Sequence, residues 1–238
     1  MSIPKRNPDY SEHCSEKNWS VEPAQLSNQL AQSMAELHIA EIPSGFLSSL
    51  GEKFLTAFYY AVLKSPETIV HIASYNSAKN SDLMLGFICS ARNSDNFYRG
   101  VILSNWVSLS LALAPKILRA STVRKVWETL RFTRGVSSKD CPRDGAAGQS
   151  ARVLNFCVDS EFHGQGVAKA LYQIHLKDLQ RLGINSLAIT TGNSQLRARG
   201  FYQKMGARTV GYREVHAGVQ SVDLIHPLGE LPPEKPIA

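Results

Sequence analysis

The run Leu154-Asn155-Phe156-Cys157-Val158-Asp159-Ser160-Glu161-Phe162-His163-Gly164-Gln165-Gly166-Val167-Ala168-Lys169-Ala170-Leu171 decides the fold of this chain. A β-branched and aromatic stretch ends in a polar turn, and a small-residue loop then opens into a helical pattern. Such a strand–loop–helix junction aims several backbone N–H groups at one spot, where the helix macrodipole adds partial positive charge. It reads as an anion site, because small residues let a phosphate oxygen come close to the main chain. A Gly-x-Gly alone is weak, so the flanking residues carry the reading.

Those flanks resemble the acyl-CoA signature of the GNAT acetyltransferase superfamily. In that signature a hydrophobic strand end is followed, five residues on, by Gln/Arg-x-x-Gly-x-Gly/Ala. Val158 stands as the strand end, and His163-Gly164-Gln165-Gly166-Val167-Ala168 as the loop, with His163 departing from the usual Gln or Arg. Downstream, Asn193 and then Gly200-Phe201-Tyr202-Gln203-Lys204-Met205-Gly206-Ala207 resemble the family's later Asn…Phe-Tyr-x-x-x-Gly-Phe element. The spacing from Asn193 to Tyr202 is longer than usual. The likeness covers residues 151–216 and thins upstream.

The resemblance implies an α/β, α+β layered fold with a mixed, splayed β-sheet flanked by helices. Pantetheine would lie in the splay like a short extra strand and pair with the backbone at Phe156 and Val158. His163, Gly164, Gln165, Gly166, Val167 and Ala168 would hold the pyrophosphate, and Asn193 would face the cofactor. Acetyl-CoA would be the co-substrate, with no metal, and the acetyl group would pass directly to a primary amine in a ternary complex. At Tyr202 the family often places the proton donor for the leaving thiolate. A hydrogen-bonded tyrosine beside the cofactor is the other reading. An N–H near Val158 would stabilise the charge that develops on the thioester oxygen.

At 238 residues, with 43% hydrophobic and 19% charged positions, the chain can bury a full core. The organisation expected is a flexible or loosely packed flank over 1–33, one domain over 34–226 and an extended tail over 227–238. Residues 1–33 are polar and hold no secretory apolar segment. The run 101–118 reads as a buried or interfacial helix, since serines, Asn105 and Pro115 interrupt it. Cys14, Cys89, Cys141 and Cys157 show no metal-ligand spacing, which suits reduced thiols in the cytoplasm. The formal charge of +6 favours anionic partners. CoA is one such partner, and no nucleic-acid reader motif is present.

Along the chain, residues 36–42 read as the first strand. Phe46, Leu50, Phe54 and Phe58 recur at helical intervals, and Ser65-Pro66 ends that helix. Strands are expected over 68–74 and 83–91, and a helical insertion over 101–134. Another strand covers 151–159, followed by a helix over 165–182 whose sheet-facing arc holds Val167, Leu171, Ile174, Leu179 and Leu182. The strand over 186–191, the helix over 194–205 and a closing pair over 207–216 and 219–226 complete the order.

The general base is open. Some relatives carry it on this strand, two to six residues before the strand end, but Phe156, Leu154 and Arg152, which stand there, cannot accept a proton. His38, Glu41, His216 and Asp223 stand as candidates, each weighed against a structural role. Cys157 reads as a core thiol on the face opposite Phe156 and Val158, and His175 as a packing residue. Lys169 either reaches a phosphate or is solvated. The basic segment 116–134, with the apolar stretch before it, is a packed helix pair or else a cover for the acceptor, an anionic acceptor site or a peripheral membrane contact. Beside the acetyltransferase reading stand an N-acyltransferase with longer acyl donors and a non-catalytic CoA-binding sensor.

Overall fold

The computed structural model describes residues 19–77, 80–92, 149–216 and 219–229. Among these residues seven strands form one sheet, in the order β1-β2-β3-β4-β5-β7-β6. They are β1 (Trp19–Pro23), β2 (Thr68–Ser77), β3 (Asn80–Arg92), β4 (Gln149–Val158), β5 (Ile184–Gly192), β6 (Arg208–His216) and β7 (Val219–Pro227). Among the described residues, β4–β5 is the only neighbouring pair that is parallel. The helices are α1 (Asn28–Glu41), α2 (Phe46–Leu50), α3 (Glu52–Lys64), α4 (Val167–Arg181) and α5 (Leu196–Lys204). α1 and α3 pack on one face of the sheet around Met34, Leu55, Tyr59 and Phe87. α4 and α5 cover the other around Leu171, Tyr172, Leu187 and Tyr202. This is the mixed, layered arrangement the resemblance implies.

The first strand is displaced. Residues 36–42 are the end of α1, and β1 lies earlier, at 19–23, within the stretch expected to be a loose flank. Over seven residues the segment alternates like a strand. Over fourteen, Ala31, Met34, Ala35 and His38 repeat at i, i+3, i+4 and i+7 and are all buried. Ser27 caps the helix, its hydroxyl accepting the Leu30 N–H at 2.9 Å. The helical face from Phe46 to Phe58 is likewise two helices, broken at Gly51 with φ of 92°. On α4, Leu182 is the C-cap and 45% exposed, so it leaves the sheet-facing arc. Tyr172 and His175 are buried in its place. The insertion expected over 101–134 lies outside the described residues, as do 1–18 and the tail from 230.

What positions the site is the way β4 parts from β5. Their pairing runs from Gln149 opposite Ile184 to Arg152 opposite Ala188 and stops there. At the same place Ser90 stands opposite Val153 and Cys89 opposite Asn155, so Leu154 is an extra residue in β4. This is a β-bulge, which bends its strand and sharpens the local twist. Leu154 packs with the α1–α3 layer and Val153 and Phe156 with the α4 layer. Asn155 bonds to side chains on α1 and α3. Two consecutive residues, Leu154 and Asn155, therefore share a face, and beyond them the two strands diverge.

Candidate functional site

Past the bulge, the ladder phase fixes what β4 presents to the gap. Val158 stands opposite Gly86 and the Asp159 N–H donates to the Leu85 carbonyl at 2.8 Å. In an antiparallel ladder this makes Val158–Gly86 and Phe156–Ile88 non-bonded pairs. The N–H and C=O groups of Phe156 and Val158 thus point away from β3, into the splay. The Val158 N–H meets no acceptor among the described residues. Phe156 and Val158 stand where an extended amide-bearing chain would pair.

The loop then turns through Ser160–Phe162, where Asp159 accepts the Glu161 N–H at 3.1 Å. Gly164 and Gly166 have φ of 82° and 86°, the left-handed region that suits glycine. A Cβ at either would meet nothing within 4 Å, so backbone conformation rather than crowding demands glycine here. Gly166 is the N-cap of α4, and no side chain caps it. The first-turn N–H groups, Val167, Ala168 and Lys169 among them, have no acceptor within the helix. Val167 itself is fully buried and anchors the helix start, so it serves a ligand only through its main chain. Gln165 turns back, its amide donating to the Glu161 carbonyl at 3.1 Å. His163 donates from Nε2 to the Val158 carbonyl at 2.8 Å, tying the loop to the strand end. Lys169 is exposed.

Replacing Gly166 by Ala is expected to strain the turn by about 1–2 kcal/mol, the cost of the left-handed region for a side-chain-bearing residue. CoA affinity should fall roughly tenfold in titration calorimetry while the melting temperature moves by only a few degrees.

Tyr202, on α5, is buried in an aromatic cluster with Phe156, Tyr172 and Phe201 at centroid distances of 6.3, 5.7 and 5.5 Å. Burial, with the neighbouring Tyr172 and Cys157, pushes its phenol far above the ordinary tyrosine range, so it holds its proton. Its hydroxyl makes no hydrogen bond among the described residues. Asn193, at the end of β5, is engaged. Its Oδ1 accepts from Arg199 at 3.1 Å and its Nδ2 donates to Gln220 at 3.3 Å.

Of the base candidates, His38 sits on α1 with its Nδ1 already taken by Tyr59 and Asn155, and burial lowers it to about 4. Asp223 is held by Arg213 at 2.6 Å and Thr190 at 2.7 Å. His216 ends β6. Glu41 ends α1 beside the strand end, one oxygen accepting the Ser160 N–H at 2.9 Å. Cys157 is buried with the α1–α3 layer, as expected.

Sequence reading missed two polar clusters. One joins Asn155 to Tyr59 and His38; a lone amide in a hydrophobic strand was the available signal. The other joins His71, His175, Asp178 and Ser90 across β2, β3 and α4. No group of described residues could hold a metal ion, and no described helix is long and apolar enough to cross a membrane.

Residues 144–225 match the family model described as an acetyltransferase (GNAT) domain. N-acetyltransferase 8B of Homo sapiens is 35% identical over 83 residues, which are 34% of this chain and 37% of that protein. The match thus spans little more than a third of the curated relative. Among solved structures, NAA60 of Arabidopsis thaliana in complex with acetyl-CoA superposes with a TM-score of 0.56 at 13% identity. It covers 88% of this chain and 98% of that one. The ribosomal-protein-S18-alanine N-acetyltransferase of Escherichia coli gives 0.53 at 11% identity, covering 92% and 100%. At these identities the structural likeness is one of fold.

Proposed function

We propose that this chain, whose residues 144–225 match the GNAT acetyltransferase domain model, transfers the acetyl group of acetyl-CoA directly to a primary amine. The observation that carries the reading is the splay itself. The Phe156 and Val158 edge of β4, which has no β5 partner, leads straight to a helix N-terminus at Gly166 that no side chain caps. The two features suit the two chemistries of one ligand, an amide-bearing arm and a pyrophosphate. The acetyl-CoA bound in the NAA60 structure supports the same co-substrate here.

In this reading the amine nitrogen attacks the thioester carbonyl carbon, and the Val158 N–H stabilises the negative charge on its oxygen. The C–S bond then breaks with the electron pair going to sulfur, and the Tyr202 hydroxyl gives that thiolate its proton. The amine sheds its own proton to solvent or to Glu41, the candidate carboxylate that retains an oxygen with no partner among the described residues. Loop amides from His163 to Ala168 hold the pyrophosphate. Asn193 contributes by fixing the turn after β5, since its side chain is spoken for. The acceptor is an amine of a class the site does not name, and a cytoplasmic location with reduced thiols belongs to the same proposal.

Calorimetry with acetyl-CoA, followed by detection of free CoA thiol over a panel of primary amines and acyl-chain lengths, tests it. Micromolar to low-millimolar binding with turnover fastest for acetyl is expected. A rate peaking at long acyl chains would establish the longer-donor reading, and binding without turnover of any amine would establish the sensor.

A further inference from the structure

Just past the point where β4 parts from β5 stands a polar group the proposed reaction does not use. Asn155 sits in the bulge, 9% exposed, and each end of its amide has a partner. Its Oδ1 accepts the Phe156 N–H at 2.8 Å, the very N–H that faces the splay, and lies 3.4 Å from the Cys157 thiol. Its Nδ2 donates to the Tyr59 hydroxyl at 2.7 Å. A hydroxyl that accepts there turns its own proton to its other neighbour, the His38 Nδ1. His38 and Tyr59 come from α1 and α3, are almost wholly buried, and cannot shift without disturbing the core around Met34 and Phe87. The row Phe156 N–H, Asn155, Tyr59, His38 thus runs from the edge of the gap to a rigid helical layer.

We propose that Asn155 is a positioning residue for acetyl transfer, anchored by Tyr59 and His38, that fixes the bulge of β4 and so the place of the thioester between Phe156 and Val158. The inference rests on the acetyl-CoA reading of the site. A bulge is otherwise a soft element, since its extra residue has no ladder partner. Tying its side chain to two helices removes that freedom. Arriving pantetheine takes over the Phe156 N–H from Oδ1, while the amide stays moored through Nδ2. Asn155 touches neither the pyrophosphate loop nor Tyr202, so its loss should spare the grip on the cofactor's phosphates and misplace the reacting carbonyl. An ångström of misplacement is worth on the order of 100-fold in rate.

The test compares Asn155→Ala, Tyr59→Phe and the double variant, each assayed well below its melting temperature. The expected result is kcat reduced roughly 10- to 100-fold, the acetyl-CoA dissociation constant within about threefold of wild type, and a double variant no slower than the worse single one. Shared loss of that kind marks groups acting as one unit. Tyr59→Phe removes a single oxygen, so it reports even if Asn155→Ala fails to fold. Wild-type kcat in folded Tyr59→Phe, or losses that multiply in the double variant, would overturn the proposal. Failure of the wild-type protein to bind acetyl-CoA in the same calorimetric series would instead overturn the underlying reading, and the two failures are distinct.

Discussion

Tyr202→Phe is expected to lower kcat by about 100-fold or more, the scale of a lost general acid, with the acetyl-CoA dissociation constant nearly unchanged. The variant is clean because of how the hydroxyl sits. It has no hydrogen-bond partner among the described residues, so removing it leaves no orphaned donor or acceptor behind. Phenylalanine keeps the ring contacts to Phe156, Tyr172 and Phe201. Stability should therefore hold, and any rate loss reports the proton. A hundredfold loss corresponds to about 2.7 kcal/mol of transition-state stabilisation. The rise in its proton affinity on burial keeps the donor loaded across the neutral range. Stopped-flow or steady-state detection of released thiol measures the rate, and calorimetry the affinity. Unchanged kcat would reduce Tyr202 to a packing residue beside the cofactor.

The parts of this site that were legible in the sequence are those set by local backbone chemistry. Gly164 and Gly166 announce a small-residue loop, Val158 the end of a buried strand, and Val167 and Leu171 the buried face of α4. Each needs only its neighbours to be read. The order of the described strands and helices, β2 to β3 and then β4 to β7, follows from periodicity for the same reason. What escaped depends on registers between distant segments. Residues 36–42 alternate well enough to pass for a strand, and only the cap at Ser27 and the spacing back to Ala31 make them helical. Asn155 stays hidden because strict alternation along β4 places Arg152, Leu154 and Phe156 in one series. The extra residue at Leu154 breaks that series and turns Asn155 toward Tyr59 and His38, which are 96 and 117 residues away. A bulge is a relation between two strands, so one strand's sequence does not display it.

The second cluster that escaped leads to the other large expected effect, a steep loss of stability in acid. His71 on β2 and His175 on α4 meet through their Nδ1 atoms at 2.9 Å, and only one of the two can carry the proton. His71 Nε2 lies 2.8 Å from a carboxylate oxygen of Asp178, so this is the ring nitrogen that donates. Its Nδ1 must then accept from His175, whose Nε2 in turn accepts the Ser90 hydroxyl at 2.8 Å. In this arrangement every ring nitrogen of the row is engaged, so a further proton enters only if the Ser90 hydroxyl turns round to accept from His175. Burial, and the neighbouring His71, lower His175 to about 3, and burial lowers His38 to about 4. The unfolded chain binds these protons near pH 6.5, so between that value and the folded ones it holds more protons than the native state. Stability is then full above about pH 6.5 and falls as the pH drops, by about 1.4 kcal/mol per unit for each histidine. By pH 4.5 the two together cost on the order of 5 kcal/mol, comparable with the whole stability of many domains. Urea unfolding at a series of pH values from 7.5 to 4.5 should show the midpoint collapsing below 6.5. His175→Gln, less stable at neutral pH because it breaks the row, should lose about half of that slope. A midpoint flat through this range would mean that the row accepts protons while folded, and that helix α4 is held to β2 and β3 by something other than a proton-poor hydrogen-bond chain.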